Sequence, residues 1–207
     1  MRSNGIKTRN RILTAAQDLI LQQGFSGTPI DQIIENSAVT KGGFFYHFEG
    51  KRDLAKHLLI RFLEEDQKIF DELVDRSKSL SEDPLQQVLI FLNLYAELAC
   101  ELPTGHPGCL VASYTYELQQ FDPEIYQIAK DGMQVWKDEF EALLQSITDK
   151  HPPVTDINLG DVAEMLTAVF EGGIILSKIS GEPCALSKQL LQFRTYIRFI
   201  FGDVKTN

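Results

Sequence analysis

The sequence predicts an all-α protein: an N-terminal three-helix head followed by a C-terminal helical body, about nine helices in all. Three observations carry that expectation. Apolar residues recur at three- and four-residue spacing along nearly the whole chain, no stretch sustains a period of two, and glycine and proline cluster at points that divide the chain into helix-length pieces. The 207 residues, 43% hydrophobic and 24% charged, have the makeup of a folded chain and not of a disordered one.

The first helix is expected from Lys7 to Gln23, with Ile12, Ala15, Ala16, Leu19 and Ile20 buried, Gly24 as its left-handed cap and Phe25 folding back onto it. Thr28-Pro29-Ile30-Asp31 reads as an N-cap, a proline at the first helical position and an early acidic residue, which opens a short second helix ending near Asn36 or Ser37. After a turn through Ala38 and Val39, Thr40 caps a third helix, Lys41 to His47, closed by Glu49-Gly50. From Lys51 to about Arg76 no glycine or proline intervenes, and Leu54, Leu58, Phe62, Ile69 and Leu73 mark one long helix. Further helices are expected over roughly 84–101, 109–120, 123–148, 157–180 and 187–201, between breaks such as Pro84, 103–108, Asp122-Pro123, His151-Pro152-Pro153 and 181–183. This gives a head over 1–50, with its motif at about 29–48, and a body over 51–207 reached through the helix at 51–76.

Charge separates the same two parts. The whole chain carries 20 basic and 29 acidic side chains, a net of -9. Residues 1–56 hold eight of the basic and five of the acidic groups, which makes them +3 and leaves 12 basic against 24 acidic, or -12, for the rest. A basic head on an acidic body suits contact with nucleic acid, because phosphate binding needs local positive charge. The N-terminus lacks a signal-type apolar region and no window approaches a membrane span, so a cytoplasmic protein is expected. Cys100, Cys109 and Cys184 are an odd number, from which reduced thiols are expected.

A bracing helix followed by two short helices and a tight turn is the arrangement of a helix-turn-helix head, whose last helix enters the major groove. Free N–H groups at a helix start attract phosphate, so Thr28 and Thr40 are candidate contacts. Gly42 and Gly43 let the backbone approach DNA and leave Lys41 free to reach a base edge or phosphate. Each glycine costs about 1 kcal/mol of helix propensity, which a purely structural helix has no reason to carry. Phe44 and Phe48, four apart, read as core. Phe45, Tyr46 and His47 cannot all be buried by so small a head, so exposed aromatic residues beside Lys41 favour a DNA face. Lys51 and Arg52, unfavourably placed at a helix start, call for an anionic partner.

The run from Thr28 to Leu54 resembles the DNA-binding head of the tetracycline-repressor (TetR) family, whose pattern is a capped second helix, an Ala-Gly-Val-like turn, Ser/Thr-x-Gly-x-x-Tyr-x-x-Phe and a lysine three residues on. The resemblance covers about Lys7 to Leu54. It makes Thr28 and Lys51 phosphate contacts, Thr40 the recognition-helix cap, Gly42 the close-approach glycine and Phe48 a core anchor. The departures are Ile34 in place of alanine, Ala38 in place of the turn glycine, and Phe45 in place of tyrosine, so Tyr46 or His47 takes over that contact.

The same resemblance implies operator DNA as partner, a homodimer built by the last two helices, and a small-molecule effector held in the body. The interface candidates are Phe170, Gly173, Ile174, Ser177, Phe193, Ile197 and Ile200, each of which also suits an intrachain core. The effector candidates are Phe62, Phe91, Tyr95, Cys109, Tyr114, Trp136, Phe140 and Phe170, mostly apolar with a few hydroxyls. Gly108-Cys109-Leu110 matches a start of the sixth helix found in some relatives, and a thiol at a helix N-terminus is acidified; a packed small residue and a thiol sensor both remain open for Cys109. Cys100, His106 and Cys109 fit no common metal spacing, so no metal and no cofactor are expected. An enzyme is the competing class, yet none of the four histidines (His47, His57, His106, His151) falls in a motif with a nucleophile or paired carboxylates. A helical protein-interaction module would leave the basic head unexplained. The expected function is transcriptional regulation by a ligand-released repressor.

Overall fold

The computed structural model describes residues 2–102 and 105–202. Among the described residues there are nine α-helices, one 3-10 turn and no strand: α1 (Arg2–Gln23), α2 (Ile30–Asn36), α3 (Lys41–His47), α4 (Lys51–Leu80), α5 (Pro84–Cys100), α6 (Leu110–Thr115), the 3-10 turn (Leu118–Gln120), α7 (Pro123–Thr148), α8 (Leu159–Ser180) and α9 (Ala185–Phe201). The all-α expectation holds. No helix among the described residues is long and apolar enough to cross a membrane.

Local chemistry sets most of the boundaries. Gly24 adopts φ +80 and its N–H returns to the Ile20 carbonyl at 2.9 Å, closing α1 with the expected left-handed cap. The start of α2 differs from expectation. Pro29 occupies the cap position, while Thr28 is fully buried and its hydroxyl donates to the Gly24 carbonyl at 2.8 Å. Thr40 caps α3 as predicted, accepting from the Gly43 N–H at 3.0 Å. Between α2 and α3, Ala38 sits at φ +50, a region in which a Cβ crowds the following carbonyl. Ala38→Gly is therefore expected to raise stability by roughly 0.5–1 kcal/mol, read as a higher urea midpoint at unchanged slope.

The helix predicted over 109–120 is broken in two. α6 ends at Thr115, and Glu117 takes φ -124, ψ 30 before the 3-10 turn. The cause is distant in sequence: the Glu117 carboxylate accepts the N–H groups of Phe25 at 2.7 Å and Ser26 at 2.8 Å.

The chain divides into two compact units, Met1–Glu65 with Pro107–Gly132, and Asp66–His106 with Met133–Asn207. The first has one core to which α1 gives Ile12, Leu13 and Ile20, α2 Ile33, α3 Phe44, and α4 Leu54, Leu58 and Phe62; Phe48 precedes α4, and Leu110, Tyr114 and Ile125 join from α6 and α7. Each such side chain contributes about 1.5–3 kcal/mol of apolar burial. Tyr114 stacks on Phe121 with centroids 4.4 Å apart and donates its hydroxyl to the Ala55 carbonyl at 3.2 Å.

In the second unit α8 and α9 pack so closely at Gly173 that a Cβ there would stand 2.7 Å from Leu186 Cδ1 and 2.9 Å from its Cα. Asp83 caps α5 by accepting from the Gln86 N–H at 3.0 Å and also meets Lys150 at 3.1 Å and His151 at 2.7 Å. Partial burial pushes its carboxyl up, but the bonds from His151, Gln86 and Lys150 outweigh this and hold it well below the usual carboxylate range.

The expectation of three reduced thiols is corrected. Cys100, which ends α5, and Cys184, at the cap of α9, form a disulfide with Cα atoms 4.6 Å apart and a sequence separation of 84. The packing of α5 against α9 creates this neighbourhood, and an odd cysteine count cannot reveal it. Cys109 lies outside the pair.

Candidate nucleic-acid interface

α3 has one buried edge and one exposed edge. Phe44 and Phe48 are buried in the head, as the spacing predicted, while Phe45 is exposed and Tyr46 is 82% exposed. His47 is half-buried: its ring lies 5.0 Å from that of Tyr46 and its Cε1 is 3.9 Å from where a Cβ on Gly5 would stand, so α1 supports the end of α3. Thr40, Lys41 and Gly42 are exposed together at the start of the helix. Gly42 has nothing within 4 Å of its Cβ position, whereas Gly43 has the Thr40 hydroxyl at 3.2 Å. No internal contact calls for glycine at 42.

The other predicted contacts have internal partners. Thr28 is buried, as described above. Lys51 is half-buried, donates to the Phe25 carbonyl and holds its ammonium 4.2 Å from the centroid of the Phe25 ring. Burial lowers the Lys51 pKa, and the Glu117 charge partly offsets that. Arg52 meets Asp122 at 3.6 Å, so the anionic partner called for at the start of α4 is found within the chain. Along α1, Arg9 lies over Phe48 at 5.3 Å, and a groove of about 590 Å³ is lined by Lys7, Arg11, Asn36 and Ser37 among others.

Glu117 is the residue that sequence reasoning missed. Its carboxylate braces the loop between α1 and α2 and approaches Gly24 so closely that a Cβ there would lie 2.9 Å from Oε1. Desolvation raises its pKa, but the bonds from Ser26 and Phe25 and the charge of Lys51 lower it further, for a net decrease. Nothing near position 117 in the sequence signals a partner 91 and 92 residues away.

The effector candidates fall into two groups. Phe91, Tyr95, Trp136, Phe140 and Phe170 form one aromatic cluster in the second unit together with Phe70, with Tyr95–Phe170 at 4.8 Å, Phe70–Trp136 at 5.4 Å and Trp136–Phe170 at 5.9 Å. Phe62 and Tyr114 are instead in the core of the first unit, where Cys109 packs half-buried at the cap of α6 and accepts from the Ala112 N–H at 3.5 Å.

All seven dimer candidates are placed in the interior of the second unit. Phe170, Gly173, Ile174, Ser177, Phe193, Ile197 and Ile200 are buried within the chain itself, Gly173 against Leu186 and Ser177 with its hydroxyl bonded to the Glu182 carbonyl. Each thus takes the intrachain-core place that the sequence also allowed. The apolar side chains that α8 and α9 leave exposed are Ile175, Leu176, Ile179, Tyr196 and Phe199.

His106 edges the aromatic cluster, 6.2 Å from Phe170. Burial, aided by the charge of Lys178, lowers its pKa to about 4. A histidine with a depressed folded pKa leaves stability intact above its unfolded value near 6.5; between about 6.5 and 4 the unfolded chain takes up a proton that the folded one refuses, so stability falls by up to about 3 kcal/mol. Comparing wild type with His106→Gln by urea unfolding at pH 7 and pH 4.5 is expected to show a smaller acid loss in the variant. An equal loss would refute the assignment.

The model of the bacterial regulatory proteins of the tetR family matches residues 12–58, the span from α1 into α4 that carries this interface. Residues 12–58 are a TetR-family DNA-binding head. Among curated relatives of this TetR-family regulator is the HTH-type transcriptional regulator LmrA of Bacillus subtilis (strain 168), 25% identical over 172 residues, covering 82% of this chain and 86% of the relative. Another is the HTH-type transcriptional repressor DhaR of Mycobacterium sp. (strain GP1), 23% identical, covering 83% and 82%. The fold is shared with a TetR-family transcriptional regulator from Agrobacterium tumefaciens at TM-score 0.78 and 19% identity, covering 95% of this chain and 99% of that one. The chain is a DNA-binding transcriptional regulator, and its relatives are regulators and not enzymes.

Proposed function

We propose that this TetR-family regulator is a homodimeric repressor that leaves its operator when a small molecule binds the body. The observation that carries the reading is the start of α3, where Thr40, Lys41 and Gly42 are exposed beside Tyr46 with no internal contact requiring the glycine. Thr40, Lys41, Gly42, Gly43, Phe45, Tyr46 and His47 read the major groove, and Lys51 adds a phosphate contact with the ammonium hydrogens that the Phe25 carbonyl leaves over. Thr28 acts by holding the loop before α2, since its hydroxyl is turned inward. The repressor sense is supported by DhaR, which is described as a repressor. The exposed apolar residues of α8 and α9 form the dimer face, and the aromatic cluster around Tyr95, Trp136 and Phe170 receives the effector. The effector acts only through its different affinity for the two conformations.

The test is a titration of the protein against DNA from upstream of its own gene, over a series of salt concentrations. Affinity is expected to fall steeply with salt, and Lys51→Ala to reduce the slope by about one while weakening all sequences alike. No binding at low salt would sink the reading.

A further inference from the structure

The repressor reading leaves the Cys100–Cys184 pair unused. Cys100 is the last residue of α5 and Cys184 the cap of the 17-residue α9, and both are half-buried. The turn from α8 into α9 is closely tied at this point. Ser177 donates its hydroxyl to the Glu182 carbonyl at 2.9 Å, and a Cβ on Gly105 would stand 2.7 Å from Ser177 Oγ and 3.3 Å from Pro183 Cα, so the segment following α5 leans directly on that turn. The pair thus joins α5 to the root of the two helices whose outer faces carry Ile175, Leu176, Ile179, Tyr196 and Phe199.

We propose that Cys100 and Cys184 are a reversible thiol–disulfide pair through which low-molecular-weight disulfides set operator affinity, the oxidised protein releasing DNA. This rests on the repressor reading and names its signal. In the reduced protein the Cys184 thiolate is the attacking group. The thiolate attacks one sulfur of a disulfide RSSR, forming a mixed disulfide and expelling RS⁻. The Cys100 thiolate then attacks Cys184 Sγ and expels the second RS⁻. The two protons from the cysteines end on the two leaving thiolates, so two protein thiols are oxidised and one RSSR becomes two RSH. The bond ties the start of α9 to the end of α5 and restricts the α8–α9 pair, which in the dimer governs the spacing of the two heads.

The experiment measures operator affinity and the number of alkylatable thiols, by mass spectrometry, for the same samples after dithiothreitol and after oxidised glutathione. Wild type and Cys109→Ser are each expected to lose two thiols on oxidation and to bind operator at least about tenfold more weakly, with recovery on reduction. Cys100→Ser and Cys184→Ser are expected to keep their affinity through the same treatment. Loss of two thiols with unchanged or tighter binding, failure of the pair to form, or a response that disappears in Cys109→Ser would overturn the proposal. Reduced wild type that binds no operator at low salt would overturn the repressor reading itself. If either serine variant fails to fold, the wild-type and Cys109→Ser arms still decide.

Discussion

Replacing both Ile179 and Phe199 with glutamate is expected to yield a folded monomer that has lost about 100-fold or more in operator affinity. The two side chains are 81% and 65% exposed on α8 and α9, beside the exposed Ile175, Leu176 and Tyr196. Apolar side chains gathered on two adjacent helices are an unusual surface for a protein that acts alone. Since both side chains already face solvent within the chain, charging them leaves the core around Phe193 and Ile197 intact and puts like charges on the proposed dimer face. The affinity loss follows from linkage: once one head is seated, the second binds its half-site as an intramolecular event, worth about 10²–10⁴ in affinity. Sedimentation velocity gives the mass, circular dichroism the fold and anisotropy the affinity. A variant that remains dimeric would place the interface elsewhere.

Gly42→Ala is expected to move stability and DNA binding in opposite directions. Alanine gains about 1 kcal/mol of helix propensity over glycine, and the new methyl group meets nothing within 4 Å, so the unfolding midpoint rises. The same methyl stands on the exposed start of α3, where the proposed reading brings the backbone close to DNA, and operator affinity is expected to fall by about tenfold or more. A simultaneous gain in stability and affinity would show that this edge of α3 does not approach the duplex. The contrast with Ala38→Gly is useful, because there a glycine relieves backbone crowding away from the groove-facing edge.

Much of the fold was legible because its signals are local. The three-residue reach of Thr40 to the Gly43 N–H, the left-handed Gly24 and the four-residue spacing of Phe44 and Phe48 are all written within a turn or two of chain. What was not legible depends on partners far away in sequence. Glu117 leaves the helical path to accept N–H groups at positions 25 and 26, so a helix predicted to continue to 120 stops at Thr115. α8 is apolar on more than one face, and periodicity alone does not say whether Ile174 or Ile175 turns inward; the close seat of Gly173 on Leu186 decides it. Cysteine parity argued for thiols, yet two of the three meet where α5 passes α9. Along α3 the pattern of buried and exposed positions was readable, but the internal bonds of Thr28 and Lys51 were not, because their acceptors belong to the loop after α1.

The first unit gathers Leu110, Tyr114 and Ile125 into the same core as Ile12, Phe44 and Leu58, although the 41 residues Asp66–His106 of the second unit intervene along the chain. A DNA-reading head of this kind is therefore not a cassette that can be cut out at one point. A chimera that exchanges only the first 50 or 65 residues with a relative would ask foreign side chains to fit around the resident Tyr114 and to accept the resident Glu117 at the backbone of their first loop. Transplanting operator preference requires the segment 107–132 to travel with the head, and the same constraint binds any natural recombination that would reshuffle heads and bodies.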